Sequence, residues 1–111
     1  MGYNMLMRIG HSPDPDDAFM FHAMTNGLID TEDRTYEHHL LDIETLNQKS
    51  IRGEFEVSAV SIHSFPKIAH NYSLTNCGAS MGEGYGPIII SNQPATINEA
   101  RNSVIAIPGL G

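Results

Sequence analysis

The chain has a single cysteine, Cys77, in 111 residues, so no intramolecular disulfide can form. No catalytic-cysteine signature surrounds it, and it reads as a small, buried apolar residue. Basic residues are scarce: six Lys and Arg stand against thirteen Asp and Glu, for a net charge of −7. That balance excludes a nucleic-acid surface or an anionic-membrane surface, both of which need a positive patch. The N-terminus lacks a basic segment followed by an apolar one, and no apolar run approaches membrane-spanning length. A cytoplasmic protein without a membrane span is expected. The formal glycosylation sequon Asn71-Tyr72-Ser73 carries no weight without a secretion signal. With 41% apolar and 17% charged residues, the composition is globular and not disordered. The length suits one domain and is short for a two-lobed enzyme.

The hydrophobic pattern alternates between strand and helix. Residues 5–10 read as a central strand, apolar on both faces and buried. Residues 16–25 read as a helix. Phe19 and Ala23, and Met20 and Met24, stack at i,i+4, and Phe21 widens the apolar surface, which predicts packing on more than one side. Asn26-Gly27 ends it. A polar connector leads to a weakly alternating strand over 35–41. Asp42 then looks like the N-cap of a helix over 43–52, with Ile43, Leu46 and Ile51 at helical spacing and Gly53 as the stop. The β-branched run 57–62 reads as a third strand, and 64–70 as a short helix with Pro66 in its first turn. Further strands are expected over 72–77, 87–91 and 103–108, with a loop of four glycines over 78–86 and a short helix over 97–101. The fold class is therefore α/β, a mostly parallel sheet flanked by helices. A strand followed by Pro108-Gly109 resembles the start of a ligand loop with no helix after it, so the chain reads as truncated.

The stretch His11-Ser-Pro-Asp-Pro-Asp-Asp17 lies between the first strand and the first helix. Pro13 and Pro15 fix two φ angles and disfavour helix just before each. Asp16 or Asp17 is suited to cap the helix that follows. A strand, a stiff polar turn and a helix start form the corner where open α/β sheets bind ligands. A plain βα loop is the competing reading.

Other chemistry is thinly marked. His11, Asp14, Asp16 and Asp17 offer oxygen and imidazole donors, but their spacing fits no metal motif, and helix capping accounts for at least one Asp. No histidine pair shows the spacing of a zinc hydrolase helix, and His38 and His39 point to opposite faces of a strand. His63 follows Ser61 and Ile62 at the end of a strand, where a side chain emerges into a cleft and can donate to a substrate oxygen or move a proton. No Gly-x-Ser-x-Gly elbow surrounds Ser58 or Ser61, and the Gly82-Glu-Gly-Tyr-Gly86 loop is not a Walker loop. Its backbone N–H groups can still cradle a carboxylate.

Four blocks resemble one family in order. Ser12-Pro-Asp-Pro-Asp-Asp-Ala-Phe-Met-Phe21 is similar to the Ser-Pro-x-Pro-Asn-Asp-x-Phe signature of 1,4-dihydroxy-6-naphthoate synthases of the futalosine route to menaquinone. Asp42-Ile-Glu-Thr-Leu-Asn47, Val60-Ser-Ile-His63 and the block from Cys77 to Ile88 resemble later blocks. The resemblance implies the first lobe of a fold like type II periplasmic binding proteins, with residues 1–86 as that lobe and 87–111 as a crossover strand and the start of a second. It implies a lyase that converts cyclic dehypoxanthinyl futalosine to the dihydroxynaphthoate, with no cofactor and no metal. The family's general-base histidine lies beyond Gly111, so the chain is expected to be inactive, with His63 as the one catalytic candidate. The expected substrate-binding set is Ser12, Asp16, Asn47, Val60, Ser61, Ile62, His63 and Gly86, for a small-molecule carboxylate. Asp16 replaces the usual Asn and Asp14 adds a second acid. Both would repel a carboxylate, which leaves room for a non-catalytic binding protein of the same fold. Ile88, Ile89, Ile90, Val104, Ile105 and Ile107 lack evident cover and predict a homodimer through exposed strands.

Overall fold

The computed structural model describes residues 5–109. Strand β1 (Met5–His11) is central in a three-stranded parallel sheet of order β2-β1-β3. It pairs along its whole length with β2 (Arg34–Leu40), from Met5 opposite Arg34 to His11 opposite Leu40. On its other side, only Ile9 and Gly10 pair with β3 (Val57–Ser58). Helix α1 (Pro15–Thr25) connects β1 to β2, and α2 (Ile43–Ile51) connects β2 to β3. Because β2 and β3 flank β1 on opposite sides, right-handed crossovers put the two helices on opposite faces.

Local chemistry explains both helices. Pro15 opens α1 with its φ already helical and no N–H to satisfy. Asp42 caps α2: its Oδ1 accepts from the Thr45 N–H at 2.9 Å and its Oδ2 from the Thr45 hydroxyl at 2.6 Å. These bonds hold the Asp42 carboxyl below its ordinary pKa. Gly53, at φ +68°, takes the left-handed turn that stops the helix. A 3-10 turn (Ile62–Ser64) runs into α3 (Phe65–Ile68), with Pro66 in its first turn. α4 (Ile97–Arg101) carries a reciprocal capping box between Thr96 and Glu99.

The core lies on the α2 face. Leu46, Phe55 and Ile68 are its buried apolar side chains, joined by Asn47, Ser50 and Ser64, while Ile9 is buried on the other face of β1, the side that His11 shares. The Tyr72 hydroxyl ties into it by donating to the Phe55 carbonyl at 2.7 Å. Gly10 is required by close approach: a Cβ there would lie 2.7 Å from Leu46 Cδ2 and 2.9 Å from the Phe55 ring.

Several expectations are corrected. β1 is buried only at its carboxyl half, Ile9 to His11. No α1 residue is buried, and Phe19 is 88% exposed, because little packs on the outer side of that helix. The expected third strand, 57–62, is paired only at Val57–Ser58. The strands expected over 72–77, 87–91 and 103–108 do not form among the described residues, where no neighbouring strand supplies partners for their N–H and C=O groups. Cys77 is exposed, in a stretch that has left the packed body. Consistent with that departure, the radius of gyration is 17.7 Å, against about 13 Å for a compact chain of this length.

Candidate functional site

Parallel strands share one carboxyl edge, and the segments leaving β1 and β3 both emerge there. Beyond the last pairs, the ladder continues through Leu41 N–H to His11 O (3.0 Å) and Ala59 N–H to Gly10 O (2.8 Å). The chain winds one way from β1 to β2 and back across β1 to reach β3. The reversal falls between β1 and β3, the position where open α/β sheets bind ligands.

On the β1 side, residues 12–17 form a self-braced corner. The Ser12 N–H donates to Asp17 Oδ2 at 2.7 Å, and the Asp14 N–H donates to Ser12 Oγ at 3.1 Å. The expected helix capping by Asp16 or Asp17 is therefore corrected. Asp14 holds the N-cap position without a side-chain bond, Asp17 turns back onto Ser12, and Asp16 accepts from the Ser80 hydroxyl at 2.7 Å. An open crease of about 440 Å³ lies there, lined by Asp16, Phe19, Met20, Gly78, Ala79 and Ser80. Ser80 lies in the Cys77–Ile88 block, but its sequence distance from Asp16 hides the contact.

On the β3 side, Asn47 is 3% exposed and bonds Ser61 twice. Its Oδ1 accepts the Ser61 N–H at 3.0 Å, and its Nδ2 donates to Ser61 Oγ at 3.1 Å. Val60 and Ser61 are half-buried, whereas Ile62 and His63 are exposed. Gly86 is exposed in the glycine loop, with open space where a Cβ would stand. The structure thus brings Asn47 to Ser61, and Asp16 to Ser12's corner and the glycine loop. It does not bring Gly86 or His63 into contact with either group. At the same edge Gly109 lies against Glu44 in the first turn of α2, where a Cβ would come within 2.7 Å of Glu44 Oε2.

The donor atoms that a metal would need point apart: His11 toward His38, Asp16 toward Ser80, Asp17 toward Ser12. Among the described residues no three His, Cys, Asp or Glu side chains converge as a metal-binding group. No described helix is long and apolar enough to cross a membrane.

Beneath the corner lies a contact with no sequence signal, between residues 27 apart. His11 is 4% exposed, stacked on Phe21 with ring centroids 4.4 Å apart, and its Nε2 lies 3.0 Å from His38 Nδ1. Burial, with a smaller contribution from His11, pushes the His38 imidazole below its ordinary pKa. Away from the corner, the Arg8 guanidinium holds the Glu56 carboxyl down at about 2.

Known proteins match over most of this chain. A 1,4-dihydroxy-6-naphthoate synthase of Thermus thermophilus is 29% identical over 93% of the chain and 37% of its own length. The Streptomyces coelicolor enzyme of the same name is 28% identical over 92% of the chain and 35% of its own length. The chain thus spans little more than a third of these relatives. A crystal structure of an Archaeoglobus fulgidus protein superposes with a TM-score of 0.70 at 48% identity, covering 76% of this chain and 31% of that one. The sequence family described as menaquinone biosynthesis matches residues 7–110. With that match spanning nearly every described residue, and the α/β frame shared with a solved relative, the chain belongs to the menaquinone biosynthesis family.

Proposed function

We propose that the chain supplies the first-lobe wall of a small-molecule cleft, in a lyase that converts cyclic dehypoxanthinyl futalosine to 1,4-dihydroxy-6-naphthoate. The observation that carries this reading is the strand order β2-β1-β3. It puts the Ser12–Asp17 corner and the Asn47-held Ser61 on either side of the topological switch point. Ser61 offers a hydroxyl and the corner offers Ser12, while the Gly78–Ser80 backbone closes the crease beside Asp16. The ligand is a small carboxylate. In this reading residues 1–86 belong to the binding lobe, and 87–111 to the crossover into a second lobe.

We infer that this chain, which spans little more than a third of its relatives' length, binds the ligand without turnover. Incubation with cyclic dehypoxanthinyl futalosine, followed by chromatography for the dihydroxynaphthoate, is expected to yield no product. Calorimetry with the dihydroxynaphthoate itself is expected to show binding. Absence of binding by both compounds would overturn the reading, and product formation would overturn the claim of inactivity.

A second reading, a binding protein with no chemistry, is favoured by Asp16, which stands at the cleft side with Ser80 as its hydrogen-bond partner. A full-length relative carrying the same acidic corner would then bind the cyclic compound and release it unchanged.

The exposed apolar stretch supports self-association. Ile88 and Ile90 are 81% and 89% exposed, and Val104 is fully so. Contiguous apolar surface of this kind recruits a partner. We infer a homodimer formed through these segments, which are extended but unpaired. Small-angle scattering is expected to report twice the chain mass, and a monodisperse monomer would refute it.

A further inference from the structure

We propose that His38 is a positioning residue for the Ser12 corner, acting through His11. This rests on reading that corner as part of the ligand edge. Proton accounting sets the direction of the hydrogen bonds. His11 Nδ1 lies 3.0 Å from the Ser12 carbonyl oxygen, which can only accept, so Nδ1 carries the proton. The neutral ring then presents a bare lone pair at Nε2. His38 Nδ1 lies 3.0 Å from that lone pair, so it carries the proton and donates. One direction of donation therefore runs from His38 through His11 to the Ser12 carbonyl.

The surroundings hold both rings in place. Phe21 stacks on His11 and meets His38 edge-on, with centroids 5.8 Å apart. His38 Nε2 is buried without a hydrogen-bond partner, the one open acceptor of the relay. A second proton would put a charge into this pair. On His38 Nε2 it would make a cation whose new N–H has no acceptor, and on His11 Nε2 it would face the His38 N–H or force that ring into its other tautomer, ending the donation from His38. The relay is thus held at least cost while both rings are neutral.

The titratable groups around the pair are few. From the start of α1, Asp17 is engaged with Ser12 N–H. From β2, Tyr36 and Arg34 line the same crease as His38. Glu37 and His39 alternate to the opposite face, where His39 meets Phe55. Near β3, Glu56 is paired with Arg8. None is hydrogen-bonded to His38 Nε2.

The deciding experiment is nitrogen NMR on the chain labelled at histidine, read beside ligand affinity. In the wild type, His11 and His38 are both expected as Nδ1–H tautomers, and a His11 Nε2–H tautomer would overturn the proposal outright. His38→Phe keeps the aromatic edge and removes the donor. It is expected to move His11 toward mixed tautomers and to weaken dihydroxynaphthoate binding about tenfold, the scale of one lost hydrogen bond. His38→Asn, whose amide sits where Nδ1 does, is expected to restore the His11 signal and most of the affinity. Affinity of the wild type is expected to fall only at pH values below the ordinary imidazole value of about 6.5, because the folded His38 is depressed from it, and that of His38→Asn to fall less. An unchanged His11 spectrum in His38→Phe refutes the relay. If the wild type binds no dihydroxynaphthoate but shows the tautomers, the functional reading fails while the relay stands. If His38→Phe does not fold, the wild-type tautomers and His38→Asn still decide.

Discussion

Asn47 reaches across 14 residues of sequence to hold Ser61 by both its backbone N–H and its hydroxyl. A carboxamide suits this double bond because one end accepts and the other donates, and the side chain is buried in α2. Asn47→Ala leaves the Ser61 N–H without that acceptor and is expected to cost about 1–3 kcal/mol, the range for an unsatisfied buried group. Asn47→Asp keeps an acceptor but buries a carboxylate with no cationic partner, and is expected to cost at least as much at neutral pH. Urea titration reads both as shifts in midpoint at constant slope. If Ser61 lines the cleft, Asn47→Ala also weakens dihydroxynaphthoate binding more than its stability loss accounts for.

Gly10 and Leu46 form a second tight pair. Gly10→Ala drives a methyl to within 2.7 Å of Leu46 Cδ2, and overpacking of this kind costs about 1–3 kcal/mol. Leu46→Ala alone empties a fully buried position, at about 2–5 kcal/mol. The double variant is expected to cost less than the sum, because the truncated side chain makes room for the new methyl. The Phe55 ring, still 2.9 Å away, keeps the rescue partial. A double-mutant cycle checks this, and strict additivity would deny the clash.

These pairs mark where sequence patterns stop being informative. Local signals read well. Asp42, Ile43, Leu46 and Gly53 outline α2, and the helices expected over 16–25 and 97–101 form as α1 and α4. Each is settled within one or two turns of chain. Strand signals fail where a partner is needed. Residues 57–62 carry a β-branched pattern, but the Ser61 N–H is taken by the Asn47 side chain and only two residues pair. Ile88 to Ile90 have the composition of a strand and no neighbour to bond. The corner shows the same limit. Its position after β1 is legible from the prolines, whereas Asp16 with Ser80 and His11 with His38 are long-range meetings that no local pattern encodes.

Stability is expected to fall in two stages on acidification. The His38 pKa is depressed in the folded state, so the unfolded chain takes up the proton first. That contribution is full above the unfolded value, about 6.5, and is lost as pH falls below it toward the folded value. The Glu56 carboxyl, held at about 2 by Arg8, contributes fully above its unfolded value of 4.5 and is lost as pH falls toward 2. Both partners of that ion pair are over a third exposed, so added salt weakens the second stage more than the first. Thermal melts from about pH 8 down to about pH 2 check the order. His38→Asn should flatten the upper stage and Glu56→Gln make the lower one shallower, where Asp42, Glu54 and Glu99 also contribute, each leaving the other in place.

Asp16 stands where a carboxylate ligand meets a second negative charge. It is exposed, and its hydrogen bond runs from the Ser80 hydroxyl, which an amide oxygen accepts equally well. Asp16→Asn therefore removes the repulsion while keeping the bond from Ser80. Two unit charges about 5 Å apart in water interact by about 0.8 kcal/mol, so dihydroxynaphthoate is expected to bind about fourfold more tightly to the variant. The gain should shrink as ionic strength rises and the charges are screened. A dihydroxynaphthalene without the carboxylate should bind both forms alike, since it carries no charge to repel. Calorimetry at low and high salt makes the comparison. Equal affinity of the two forms for the carboxylate at low salt would place Asp16 outside the cleft and leave the Asn47–Ser61 side to hold the ligand alone.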